Sequence, residues 1–216
     1  MSIDLYMFAG VNGAGKSTLY SSIDANERPK IKNSRRANAD EIARDNHWDW
    51  RDPVSNFKAM RMEVKRINSF IANKQSFNME TTLASSKKTY INILSSAKEQ
   101  GFTTHLLYVG VDSAELAKER VKYRVAKGGH GIPDEVIDRR YLKSVKNLEL
   151  LAPFFDSVEL YDNTNVFQTI YERNRLKTTT FKTSIVWAQP SIMADKHAIR
   201  VKQLALQRLK RAKRKE

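Results

Sequence analysis

The stretch Gly10-Val11-Asn12-Gly13-Ala14-Gly15-Lys16-Ser17 follows directly on an apolar run, IDLYMFA at 3–9, and leads through Thr18 into a helix-forming segment at 16–23. An apolar run of that length without breakers reads as a strand buried in a parallel sheet. The eight residues after it fit G-x-x-x-x-G-K-[ST] at every fixed position, with a strand before and a helix after, as the motif requires. Gly10 and Gly15 let the backbone curl so that its N–H groups face a phosphate, and the helix start adds a favourable dipole. Lys16 is then placed to bridge the β- and γ-phosphates of a nucleotide, and Ser17 to offer its hydroxyl to Mg2+.

Beyond the loop, the pattern keeps alternating. SFNMET (76–81), TTHLLYVGV (103–111) and SVELYD (157–162) read as strands, and IKNSRRANAD (31–40) as a weak, polar strand ending at Asp40. Helices are expected at 56–73, at 87–100 with a stop at Gly101, at 113–127 and at 134–151. In the first of these, Phe57, Met60, Val64, Ile67 and Ile71 recur at three- and four-residue steps and read as a core stripe. QTIYER (168–173) and TSIVWA (183–188) extend the sheet edge. The prediction is a three-layer α/β fold of the P-loop NTPase/kinase type, with a mainly parallel central sheet flanked by helices. It spans 1–190, and a basic helical tail occupies 191–216.

Composition narrows the class. A chain of 216 residues with 41% hydrophobic content fills one such domain and not two. It has no cysteine, which excludes disulfides and thiolate metal sites and suits a reducing compartment. MSIDLYMF has neither the basic start nor the apolar length of a signal peptide, and no run approaches a membrane span, so a soluble cytoplasmic protein is expected. The net charge is +14, and 194–216 holds nine Lys/Arg against Asp195 and Glu216. A basic helix of that kind can lie on RNA, on lipid or on an acidic partner, or simply stay solvated.

A phosphate loop alone serves motors, GTPases, transporters and small-molecule kinases. No N-K-x-D stretch for guanine is present, and LLYVGVD ends in Asp112-Ser113 rather than in paired acids. A small kinase needs a base near the acceptor hydroxyl, a group that holds the acceptor, and arginines that neutralise the moving phosphoryl group. Asp40, opening DEIARDN, is the candidate base, with a helix N-cap as its plainer role. Glu80 falls at the carboxyl end of a strand, where parallel sheets bind ligands. Arg120, Arg124, Arg139 and Arg140 flank GGHGIP (128–133), the composition of a hinged lid over about 120–140, though each alone also reads as a solvated helix residue. His130 in that lid either contacts a phosphate or caps the next helix.

These residues together resemble the zeta toxins, the P-loop kinases of toxin–antitoxin systems. The likeness is carried by GVNGAGKST, NADEIAR (38–44), METTLAS (79–85), RVKYRVAKGGHGIP through RRYLKSVKNL (120–148), and Asp162-Asn163 at the adenine-side strand end. The GGHGIP lid is similar to that of the compact members. The resemblance implies an ATP-dependent kinase that phosphorylates the 3′-hydroxyl of UDP-N-acetylglucosamine, starving wall synthesis, and a small antitoxin covering the nucleotide cleft. On these positions Asp40 would be the base, and Gly10, Asn12, Gly13, Ala14, Gly15, Lys16, Ser17 and Thr18 the ATP and Mg2+ loop. Arg120 and Asn163 would lie beside the nucleotide, and Glu80, with Thr81 or Thr82, would hold the sugar. The lid arginines would fall on Arg124 and on Arg139 or Arg140. Two other classes stay open: a nucleic-acid-acting P-loop kinase or ATPase using the basic tail, and an ATP-binding regulator without turnover.

Overall fold

The computed structural model describes residues 2–49, 51–129 and 131–212; His130 and the last four tail residues lie outside them. Strand β1 (Ile3–Ala9) runs mid-sheet, parallel to β3 (Phe77–Thr81) on one side and to β4 (Phe102–Gly110) on the other. β2 (Arg35–Ala37) pairs outside β3, and β5 (Ser157–Asp162) outside β4, both parallel. β6 (Gln168–Asn174) and β7 (Lys177–Thr180) continue antiparallel, giving the seven-stranded order β2-β3-β1-β4-β5-β6-β7.

Parallel neighbours require crossovers, and helices supply them. They are α1 (Lys16–Ser22), α2 (Pro29–Lys32), α3 (Ala39–Asp45), α4 (Pro53–Ala72), α5 (Lys87–Glu99), α6 (Ala114–Ala126) and α7 (Asp134–Leu151). The period-two alternation of β1 assigns each face its core. Leu5, Met7 and Ala9 join Leu106 with Ile67 of α4, Leu94 of α5 and Leu148 of α7. Tyr6 and Phe8 join Leu107 and Val109 with Leu19 of α1, Val121 of α6 and Ile137 of α7. Met7 and Phe8 are fully buried, each contributing about 2 kcal/mol of transfer free energy. The chain thus has the expected three-layer α/β architecture.

Three expected elements differ. The strand over 31–40 shrinks to β2, because Asn38 turns the chain into α3: its side chain accepts the N–H groups of Asp40 at 2.8 Å and Glu41 at 3.2 Å. Asn38 is therefore the N-cap, and Asp40 rides in the first helical turn. The stripe on α4 is core only at its end. Ile67 and Ile71 are buried, whereas Phe57, Met60 and Val64 are 55–60% exposed, since that half of the helix faces α3 through Ala59 instead. TSIVWA is not a strand: Val186–Ala188 is a 3-10 turn that seats the Trp187 indole against Gly110, with its N–H on Asp162 at 3.0 Å. The polar KTTT forms the edge strand in its place.

The last helix, α8 (Gln189–Ala212), starts as part of the body. Ser191, Ile192, Asp195 and Ile199 are buried, and Asp195 accepts 2.6 Å hydrogen bonds from the Tyr171 hydroxyl and from Arg173 Nε. From Arg200 onward every described residue is exposed. Among the described residues no helix is long and apolar enough to cross a membrane. Removing one partner of a buried ion pair strands the other charge, at about 3–5 kcal/mol. Asp195→Ala is therefore expected to lower the melting temperature by roughly 10 °C, whereas truncation after Arg200 shifts it by about 2 °C or less, as read by thermal denaturation.

Candidate active site

The phosphate loop turns at the carboxyl end of β1. Gly10 has φ +141°, and a Cβ there would lie 2.1 Å from the Val109 carbonyl oxygen of β4, so only glycine fits between the strands. Gly15, at φ +108°, is pressed by the Asn163 amide, which donates to the Ala14 carbonyl at 2.8 Å. Asn163 thereby braces the loop from the end of β5. Lys16 is buried, and its ammonium donates to the Val11 carbonyl at 3.2 Å. Burial pushes its pKa down, opposed by the carboxylates of Glu80 and Asp40.

Glu80, near the end of β3, gathers the loop and its surroundings. The Ser17 hydroxyl donates to Oε1 at 3.1 Å, Arg36 Nη2 and Asn38 Nδ2 donate to Oε2 at 3.0 Å each, and Lys16 Nζ is 3.9 Å from Oε1. Arg36 is itself fixed by Glu41 at 2.7 Å, by Asn78 at 2.8 Å and by the Tyr20 ring 3.8 Å beneath its guanidinium. Both oxygens of Glu80 are thus engaged by the protein. Glu80 also lines the cleft, where these contacts join it to the loop, to β2 and to the cap of α3.

Most of the other expected residues converge on one cleft of about 1280 Å3 at the carboxyl ends of the strands; Gly10, Ala14 and Asn163 stand behind its lining. Its walls include Asn12, Gly13, Lys16, Ser17 and Thr18 of the loop, Asp40 of α3, and Thr81 and Thr82 after β3. The Thr81 hydroxyl pairs with Tyr90 at 3.0 Å and accepts the Leu83 N–H at 3.1 Å, so its contacts are internal. Arg120 and Arg124 of α6 face Arg139 and Arg140 of α7 across the same space. The structure separates the adjacent pair: Arg140 is half-buried and donates to the Asn12 side chain at 2.9 Å, while Arg139 is exposed. Burial and the neighbouring Arg139 both lower the pKa of Arg140. Arg120 donates to the Thr164 carbonyl at 3.0 Å and keeps Nη1 buried without a partner. Val121 and Ile137 root the helices flanking the glycine break in the core, and Lys118–Asp138 at 2.9 Å and Lys122–Asp134 at 2.8 Å tie them together.

Sequence reasoning overlooks Arg36, Asn38 and Glu63 at this site. Glu63 lines the cleft from α4, and its carboxyl is pushed up to about 7, first by burial and then by the charge of Asp40. Its position was readable: Ala59, Glu63, Ile67 and Ile71 follow four-residue steps, a stripe offset from the one the larger apolar residues suggest.

A phosphate loop at the end of a central parallel strand, with a carboxylate hub behind it and arginines above it, defines a P-loop protein of the kinase kind. The chain belongs to the zeta toxin family, whose model, described as Zeta toxin, matches residues 4–175. A relative described as an uncharacterized protein of Haemophilus influenzae is 33% identical over 135 residues, 62% of this chain and 89% of that protein. Among solved structures, AvrRxo1-ORF1 in complex with AvrRxo1-ORF2 and ATP superposes with a TM-score of 0.66 at 12% identity, over 88% of this chain and 64% of that one. A structure from the PezAT chromosomal toxin–antitoxin system of Streptococcus pneumoniae superposes at 0.57 and 15% identity, over 91% and 85%. Such identities speak for the fold. The chain spans less than two thirds of AvrRxo1-ORF1.

Glu80→Ala leaves Ser17, Lys16, Arg36 and Asn38 without their common acceptor. Mg-ATP binding measured by calorimetry is expected to weaken roughly tenfold or more, with Glu80→Gln intermediate, because hydrogen bonds to a charged group are worth about 1.5–3 kcal/mol.

Proposed function

We propose that this protein transfers the γ-phosphate of ATP to the 3′-hydroxyl of UDP-N-acetylglucosamine or a related nucleotide sugar, as a toxin held in check by a small antitoxin over the cleft. The observation that carries the reading is the exposed Asp40 carboxylate opening into the same cleft as Lys16 and Arg140. At about 1280 Å3 the cleft exceeds the range of single drug-sized ligand sites, which suits a nucleoside triphosphate and a second substrate together.

In this reading the loop N–H groups and Lys16 hold the β- and γ-phosphates. Asp40 accepts the proton of the acceptor hydroxyl as its oxygen bonds to phosphorus and the bond to the ADP oxygen breaks. Arg140, braced by Asn12, and Arg124 and Arg139 on the lid offset charge on the moving phosphoryl group. The donors around Ser17 are hard oxygens, a hydroxyl and the Glu80 carboxylate, and they fit Mg2+, which would neutralise phosphate charge when bound. Glu80 keeps the Ser17 hydroxyl in place for it. Thr82, on the cleft wall, is the residue of the Thr81–Thr82 pair assigned to the sugar. Asn163 acts on the nucleotide through the loop it braces, and Arg120 through its unpartnered Nη1.

The antitoxin proposal draws on the PezAT and AvrRxo1 complexes. The exposed basic stretch of α8 beyond Arg200 favours a second reading, in which the acceptor is nucleic acid. The deciding assay incubates protein with Mg-ATP and a panel of nucleotide sugars and oligonucleotides, and looks for one added phosphate by mass spectrometry. Transfer to a nucleotide sugar is expected, with a loss of about 10²- to 10⁴-fold in Asp40→Asn and unchanged ATP binding. Normal transfer by Asp40→Asn removes the assigned base. Transfer to RNA or DNA alone moves the acceptor to nucleic acid, and ATP binding without any transfer leaves a regulator.

A further inference from the structure

Helix α7 touches both the phosphate loop and the segment that follows β3. Arg140 donates to Asn12 of the loop at 2.9 Å. Two turns further along the helix, Asn147 is buried and donates to the carbonyls of Leu83 at 2.7 Å and Ser85 at 2.9 Å. The segment so held supplies Thr82, Ala84 and Ser85 to the cleft wall. Its Leu83 sits at φ +57°, a left-handed setting that a branched residue keeps only where its surroundings impose it. Lys143 stands between these two anchors, about 4.5 Å along the helix axis from Arg140.

Lys143 lines the cleft together with Arg139, four residues earlier in the same helix. Both are exposed, and among the described residues neither has a hydrogen-bond or ion-pair partner. Other cations of the cleft are engaged within the fold: Lys16 by the Val11 carbonyl, Arg51 by Asp49, Arg120 by the Thr164 carbonyl and Arg140 by Asn12. Like charges four residues apart on a helix repel each other. An anion seated against Arg139 and Lys143 offsets that repulsion. In the reading above, the loop, Lys16 and Arg140 serve the phosphates of ATP. Lys143 lies one turn past Arg140, toward Thr82 and Ser85, on the side assigned to the acceptor.

We propose that Lys143 is a specificity-determining residue that binds an anionic group of the acceptor, which makes the acceptor a sugar carrying a phosphate or diphosphate ester rather than a neutral polyol. The inference rests on the kinase reading, with Asp40 and Thr82 on the acceptor's side. The Lys143 ammonium is a compact charge with three donors on a flexible stem, suited to following one phosphate or bridging two. Arginine at 143 keeps the charge, whereas alanine removes it. The phosphates of ATP keep Lys16 and Arg140 in either variant.

The test uses the full chain loaded with Mg2+ and a non-hydrolysable ATP analogue. It is titrated in a calorimeter with UDP-N-acetylglucosamine, N-acetylglucosamine 1-phosphate and N-acetylglucosamine. The two phosphate esters are expected to bind about tenfold or more tightly than the neutral sugar, as a hydrogen bond to a charged group provides. Lys143→Ala is expected to erase most of that advantage and Lys143→Arg to keep most of it, with affinity for the ATP analogue within about twofold in both. Equal affinity for the two esters assigns one phosphate to Lys143; a preference for the nucleotide sugar that Lys143→Ala removes assigns the diphosphate. A neutral sugar bound as tightly as its esters, an advantage that survives Lys143→Ala, or an equal loss of ATP-analogue affinity overturns the proposal. So does failure of all three probes to bind. Transfer assays separate this inference from the reading it rests on: with a phosphorylated acceptor, Lys143→Ala is expected to raise KM about tenfold with kcat within about twofold. If the esters bind through Lys143 and none is phosphorylated, the kinase reading fails and the anion subsite stands.

Discussion

The carboxylate of Glu80 ties together parts of the chain that are far apart in sequence. Through Ser17 and Lys16 it reaches the phosphate loop, through Arg36 the edge strand, and through Asn38 the cap of α3. The cap in turn fixes the first turn of α3, which carries Asp40. A single side chain, 12% exposed, therefore connects the side of the cleft built for phosphate with the side that holds the proposed base. Hydrogen bonds to a charged acceptor are stronger than neutral ones, and these hold their partners in place within the folded chain. The walls of the cleft are therefore positioned by the folded chain itself.

The loop is also supported from the opposite side. Gly10 passes against the Val109 carbonyl, Asn163 grips Ala14, and Arg140 reaches down to Asn12 from α7. The cationic groups that crowd the space would repel one another in an apolar setting; burial and mutual repulsion lower the pKa values of Lys16 and Arg140. A bound polyanion would offset that repulsion. Membership of the zeta toxin family agrees with a phosphate loop at this place.

Much of this was legible in the residues. The loop, β1, β4 and α7 follow from short-range pattern: an apolar run, a glycine spacing, and a helical stretch bounded by Pro133 and the 3-10 turn after Leu151. Elements whose form depends on distant partners were not. Asn38 takes the cap because its side chain is close enough in the folded chain to accept two N–H groups and to reach Glu80. The first half of α4 shows large apolar residues to solvent because α3, rather than the sheet, is its neighbour there. Trp187 leaves the strand pattern because Gly110 and Asp162 offer it a seat. Candidate residues were found by type and motif; their contacts, such as Arg140 on Asn12 and Ser17, Arg36 and Asn38 on Glu80, needed the fold.

With Asp40 as the proposed base, acceptor and donor would meet between it and the phosphate loop. A crystal structure with a non-hydrolysable ATP analogue and UDP-N-acetylglucosamine tests it most directly. The sugar 3′-hydroxyl is expected within about 2.6–3.2 Å of an Asp40 carboxylate oxygen and in line with the γ-phosphorus. A sugar bound with that hydroxyl turned away from Asp40, or a different group filling that place, contradicts it.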